Sequence, residues 1–301
     1  MQMKFLSIIV AGTLMFSGSI FAQDDQSVQT YTAGRLLAKG KRDLTLFNSL
    51  YTESETNWMG NKFEGYRTTF STNLLQMTWG VSENGRFNLG FDASFRNSGT
   101  VSTSDDYSGI GEAFKFQNTA TSRVGLTNVG VRVRWQPFKS EENFTLQSTL
   151  SGPVIQHPEG NNELYWADWN RITSWTQFFF VKDFDNSQLF LEADLLYRFP
   201  LLSSQIGHMD LPTTVIYSYF LNDKWTMYGI GQHMTRLSNH YAPQDPDITD
   251  FVIPASYTLA GAGMKYAFSK QFQLELLYSK FIRAVNSGKG ESYNLGIRYL
   301  F

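Results

Sequence analysis

The sequence contains no cysteine, so disulfides, thiolate metal sites and lipid attachment at a leader cysteine are all excluded. It also lacks long apolar runs. Beyond the amino-terminal leader no stretch approaches the ~18 consecutive apolar residues that a membrane-crossing helix needs. Neither sign of charge dominates, because a formal net charge of -2 leaves no electrostatic footprint for nucleic acid. Linkers, low-complexity tracts and breaks in composition are missing too, and nothing divides the chain after its leader into separate domains.

Aromatic residues, by contrast, are abundant at 16% of the chain, while the mean hydropathy is only -0.27. Many rings without a long apolar run suit strands whose apolar residues alternate one-to-one with polar ones. The last ten residues show this most clearly. Tyr293, Leu295, Ile297, Tyr299 and Phe301 occupy alternate positions, with Asn294, Gly296 and Arg298 between them. In a strand they form one apolar face and one mostly polar face. The plainer reading is a sandwich strand that happens to lie at the carboxyl end.

The amino end reads as an export signal. Lys4 precedes the apolar core Phe5–Phe16, and the small residues up to Ala22 precede polar Gln23-Asp24-Asp25. This layout predicts a secretory signal peptide over residues 1–22, cleaved near Ala22, because the apolar run is short for a span and has no basic flank. Residues 23–41 are then a polar, glycine-containing periplasmic lead-in to a domain over 42–301.

Twelve alternating segments follow: Arg42–Tyr51, Lys62–Val81, Arg86–Asn97, Val124–Gln136, Phe144–Leu150, Arg171–Lys182, Gln188–Phe199, Leu211–Leu221, Trp225–Arg236, Phe251–Phe268, Phe272–Ala284 and Ser292–Phe301. Blurred boundaries leave counts of ten or fourteen open. The even-numbered segments end in short turns, such as Ser82-Glu83-Asn84-Gly85 with its Asn-Gly signal. The odd-numbered ones mostly end in longer connections, as in Ser98–Ser122 and Ser151–Asn170. Short turns at one end and long loops at the other are what a transmembrane antiparallel up-and-down β-barrel produces, and an even count puts both termini on one side.

With its terminal Tyr299-Leu300-Phe301, signal peptide and strand rhythm, the chain resembles the bacterial outer-membrane β-barrels of transporter or porin-like type. The resemblance implies residence in the outer membrane among lipid and lipopolysaccharide. It also implies insertion by the barrel assembly machinery, which reads a terminal strand carrying Tyr299 and Phe301. The oligomeric state is left open.

Carrying the alternation through each segment predicts an inward set of charges: Arg86, Asp92, Arg96, Arg132, Arg134, Glu192, Asp194, Arg198, Lys265, Glu275 and Arg298. Facing lipid, each Arg or Lys near the midplane would cost roughly 2–4 kcal/mol. They either line a solute pathway and set its preference, or pair across strands and fill the barrel. Asp92 with Arg132 or Arg134, and Lys265 or Arg298 with Glu275, are the expected pairs.

No catalytic, metal or cofactor site is expected. His157, His208, His233 and His240 form no spaced ligand motif, and no G-x-S-x-G elbow is present. A lipid hydrolase at the barrel rim would need His240 beside Ser238, which adjacency in sequence does not supply. Asp105, Asp106, Asp245, Asp247 and Asp250 lack a calcium-loop arrangement and read as solvated loop charge. Gly261 and Gly263 fall on one strand face, where they permit bending or leave room for a large neighbour. Tyr165, Trp166, Trp169 and Trp175 could bind sugar rings, but belong more naturally to an interfacial aromatic girdle. The expected function is therefore a passive channel or transporter for small solutes with a charged lumen. The alternatives are an accessory envelope barrel without an open pore and, further off, the rim hydrolase.

Overall fold

A computed structural model describes residues 29, 33–58, 60–102, 107–201, 207–239 and 255–301. The strands are β1 (Arg42–Trp58), β2 (Asn61–Phe63), β3 (Tyr66–Gly80), β4 (Phe87–Ser102), β5 (Ser122–Trp135), β6 (Phe144–Pro153), β7 (Arg171–Asp183), β8 (Ser187–Pro200), β9 (His208–Phe220), β10 (Trp225–Asn239), β11 (Ser256–Ala267), β12 (Phe272–Val285) and β13 (Ser287–Leu300). All except β2 pair antiparallel in chain order, and β13 returns to pair with β1, from Asp43↔Leu300 to Asn57↔Ser287. The result is a closed barrel of twelve strands, with β2 a short spur on the outer end of β1. Closure pairs each of the twelve barrel strands on both sides and leaves no edge in the barrel wall, which a sheet surrounded by lipid requires.

The two faces carry opposite chemistry. Outward positions on β4, namely Phe87, Leu89, Phe91 and Phe95, are exposed and apolar, as are Val131, Leu150 and Val215 on other strands. Tyr293, Leu295 and Tyr299 of β13 join them, as the terminal alternation predicts. Buried side chains are instead mostly polar or charged, among them Asp43, Arg132, Arg134, Gln147, Gln177, Asp194, Asp210 and Gln273. A water-soluble fold shows the reverse, so this distribution is that of a barrel immersed in lipid with a polar interior.

Twelve strands agree with the reading from sequence, but several bounds move. β1 runs through Trp58, taking in most of the expected loop over residues 52–61. The last connection, expected as a loop over 285–290, is a reversal at Asn286, whose φ of 48° makes the turn. The expected signal segment over 1–22 lies outside the described residues.

Two segments that are not strands enter the barrel. Residues 33–40 cross its interior at the end that holds the chain terminus. There Leu37 is fully buried and packs with Ala267 and Leu300. Asn88 holds the Leu37 backbone at both ends, its Oδ1 accepting from Leu37 N at 2.8 Å and its Nδ2 donating to Leu37 O at 2.9 Å. On the other side Ala33 packs against Phe179, Val181 and Phe190, and Thr145 donates to Gly34 O at 2.8 Å. A Cβ on Gly34 would stand 2.4 Å from Val181 Cγ2, so only glycine allows the backbone this close to β7. Arg35 pairs with Asp183 and Lys39 with Glu83. The second segment is the β6–β7 connection, whose residues 158–170 fold back into the opposite mouth.

Candidate functional site

The interior wall is a set of charge pairs at successive heights. At the terminal end Arg298 on β13 reaches Asp43 on β1, Nε to Oδ1 3.6 Å, and donates to Thr45 at 3.2 Å. Lys265 and Glu275 stand directly opposite on β11 and β12, but Tyr228 comes between them. Its hydroxyl donates to Glu275 Oε1 at 2.5 Å, while Lys265 lies 5.2 Å from the centre of its ring. Gly263 makes room for that ring, since a Cβ there would meet Tyr228 Cζ at 2.3 Å.

Arg132 pairs with Asp92 at 3.1 Å and donates to Thr78 at 3.0 Å. Arg134 instead turns to Gln147, at 2.8 Å, and to the Arg35 carbonyl of the amino-terminal segment, at 3.3 Å. From Gln147 the hydrogen bonds run on through Gln177 to Glu192 Oε1, each 2.5 Å. Asp194 accepts from Trp175 Nε1 at 2.9 Å. Glu192 and Asp194 share the inward face of β8.

The far mouth is the most charged. Asp210 accepts from Arg198 and, at 2.6 Å, from Arg236 Nε, with His208 beside Arg198 at 2.9 Å. Arg96 approaches Asp168 of the infolded loop at 3.4 Å and lies over the Trp166 ring at 5.2 Å. Trp169 stacks edge-on against Trp166 and His208, with Arg171 and Arg198 over its own ring. Phe70 closes the cluster against Trp166. Arg171 is tied at 2.6 Å to Glu159 of the same loop. Burial holds the Tyr165 phenol above its ordinary pKa, as its place inside the mouth requires.

Between the two plugs a cavity of about 210 Å³ remains against β1, β3, β12 and β13, lined by Thr45, Phe47, Leu74, Gln76, Gln273, Glu275 and Arg298 among others.

Ten of the eleven expected lumen charges sit on inward strand positions. Arg86 does not; it precedes β4 and donates to the Gln136 carbonyl at 2.7 Å, capping the neighbouring turn. Asp92 has the expected Arg132, and Arg298 is held by Asp43. The aromatic loop needs a larger correction. Trp166 is not a girdle residue but points into the lumen, as does Trp175 through its bond to Asp194. Asp43, His208, Asp210, Arg236, Gln147, Gln177 and Tyr228 were not anticipated. All lie on the inward phase of their strands, and a polar side chain at alternate positions was the signal that could have found them. His240 and the five loop aspartates lie outside the described residues.

No family model and no curated protein matches the sequence. Solved structures do match. An outer membrane channel from Pseudomonas putida F1 superposes with a TM-score of 0.66 over 94% of this chain and 100% of that one, at 14% identity. The chain has the fold of a bacterial outer-membrane β-barrel. The β domain of the Bordetella autotransporter Brka follows, with a TM-score of 0.52 over 86% of this chain and 99% of that one, at 12% identity. At such identities the likeness concerns architecture, and the lumen must be read from its own residues.

Proposed function

We propose that this protein is an exported outer-membrane channel through which small polar solutes pass passively, and that it has no catalytic role. The observation that carries the reading is the interior wall, where charges are fixed in ion pairs and a residual cavity remains against β1, β3, β12 and β13. Such a wall offers a dissolved solute an ordered sequence of donors and acceptors, while paired charges avoid trapping it at any one step. The amino-terminal segment and the β6–β7 loop narrow the path, so conduction of the whole chain is low and selective. Residues 1–22 act as the leader, and the strand ending in Tyr299 and Phe301 as the assembly signal.

One feature favours a second reading, an accessory barrel without an open pore: residues 33–40 are bonded to Asn88, Thr145 and Asp183 on three different strands. Planar-bilayer recording separates the two. The channel reading expects discrete conductance steps from the purified full chain, together with swelling of liposomes in small sugars or amino acids. Silence in both assays would leave the accessory barrel.

A further inference from the structure

We propose that the cavity above the amino-terminal plug is a binding subsite for a small zwitterionic solute of amino-acid size, an inference that rests on the channel reading and names its cargo class. Gln273 is 2% exposed on the inward face of β12, and its Nε2 has no hydrogen-bond partner. A buried amide donor left unpaired costs roughly 1–3 kcal/mol, so it marks a place where an acceptor oxygen is wanted. Arg298 stands directly opposite Gln273 in the β12–β13 register, held by Asp43 and Thr45. Together they define an end of the cavity that favours a carboxylate.

Two residues along β12 the chemistry reverses. Glu275 spends Oε1 on the Tyr228 hydroxyl, while Oε2 points towards Gly296, 3.6 Å from where a Cβ there would stand. That oxygen suits an ammonium group. Phe47 and Leu74, neighbours across β1 and β3, form the apolar wall between the two poles. The cavity measures about 210 Å³. It is smaller than the roughly 300–1,000 Å³ clefts that take drug-sized ligands. A compact zwitterion with one apolar branch fits the volume, both poles and the wall, whereas a fatty chain would leave Gln273 and Glu275 unanswered.

The test is calorimetric titration of the purified full chain in detergent with L-leucine, leucinamide and isocaproate, the last two each lacking one charge. Leucine is expected to bind, and removal of either charge to weaken binding at least about tenfold. Gln273→Leu and Glu275→Gln should weaken leucine by a similar factor, and Gln273→Leu should keep its urea unfolding midpoint near that of the parent. If either variant fails to fold, the three ligands on the unaltered protein still decide. No heat from leucine at millimolar concentration, or equal affinity for all three ligands, overturns the subsite. Conductance recorded on the same preparation separates the two claims. A conducting barrel that ignores leucine defeats the subsite and leaves the channel. A silent barrel that binds leucine with the expected pattern supports the subsite and defeats the channel.

Discussion

Asp210 shows how a single side chain holds the far mouth of the lumen together. It is 4% exposed and accepts from both Arg198 and Arg236, so one carboxylate answers two guanidinium groups from flanking strands. Removing one member of a buried ion cluster leaves its partners charged and dry, at a cost of about 3–5 kcal/mol. Asp210→Ala is therefore expected to lower the unfolding free energy by that order in urea titrations followed by tryptophan fluorescence. A loss under about 1 kcal/mol would show that water already reaches the arginines and screens them. Gly263 makes the opposite kind of demand, for absence of atoms. Gly263→Val forces the Tyr228 ring away from Glu275, and overpacking of this sort costs about 1–3 kcal/mol. The matching second change, Tyr228→Ala, should relieve the steric part of that loss, which the same titration on the double variant checks.

The strands were legible in the sequence because their signal is local. Phe87, Leu89, Phe91 and Phe95 announce both a strand and its outward face through spacing alone, and the twelve-strand count followed from repeating that step. What escaped were the two inserted segments, because their placement depends on partners far along the chain. Nothing in the run from Ala33 to Gly40 says that Leu37 will meet Asn88, Ala267 and Leu300, residues of three different strands. Trp166 escaped for the same reason: a loop tryptophan suits an interface as well as a lumen, and only Arg96 and Phe70 on distant strands decide for the lumen. The inserted segment is also the element most open to test. Deleting residues 29–40 removes the Leu37 plug and one partner of Arg134, the Arg35 carbonyl, while its bond to Gln147 remains. Single-channel conductance is expected to rise several-fold in the deletion variant, with anions favoured by the uncovered Arg134. Unchanged conductance would mean that the limiting constriction is the β6–β7 loop, and Trp166→Ala would then be the variant that opens the path.

The whole molecule is an inverted globule whose stability depends on where the bilayer sits. Closure of β13 on β1 spares it any edge, the buried interior is held by ion pairs and amide bonds, and the apolar residues serve the lipid. Their exposure also fixes a vertical coordinate. On β4, Phe87 begins the strand beside the short turn at 81–86, whereas Phe91 stands four residues further in, opposite Met77 and Val131. At about 3.3 Å per residue and a tilt near 45°, that step moves a side chain from the interface well into the hydrocarbon. The cost of an arginine on the lipid face depends steeply on depth, roughly 2–4 kcal/mol at the midplane and about 0–1 near the interface. Phe91→Arg should therefore destabilise the barrel in lipid vesicles by several times as much as Phe87→Arg, as read from urea unfolding. In detergent micelles, which have no fixed midplane, the two variants should converge. Equal losses in vesicles would mean that the short turns do not lie at one membrane surface, and the assignment of barrel ends, with the amino-terminal plug at the inner mouth, would have to be reversed or abandoned.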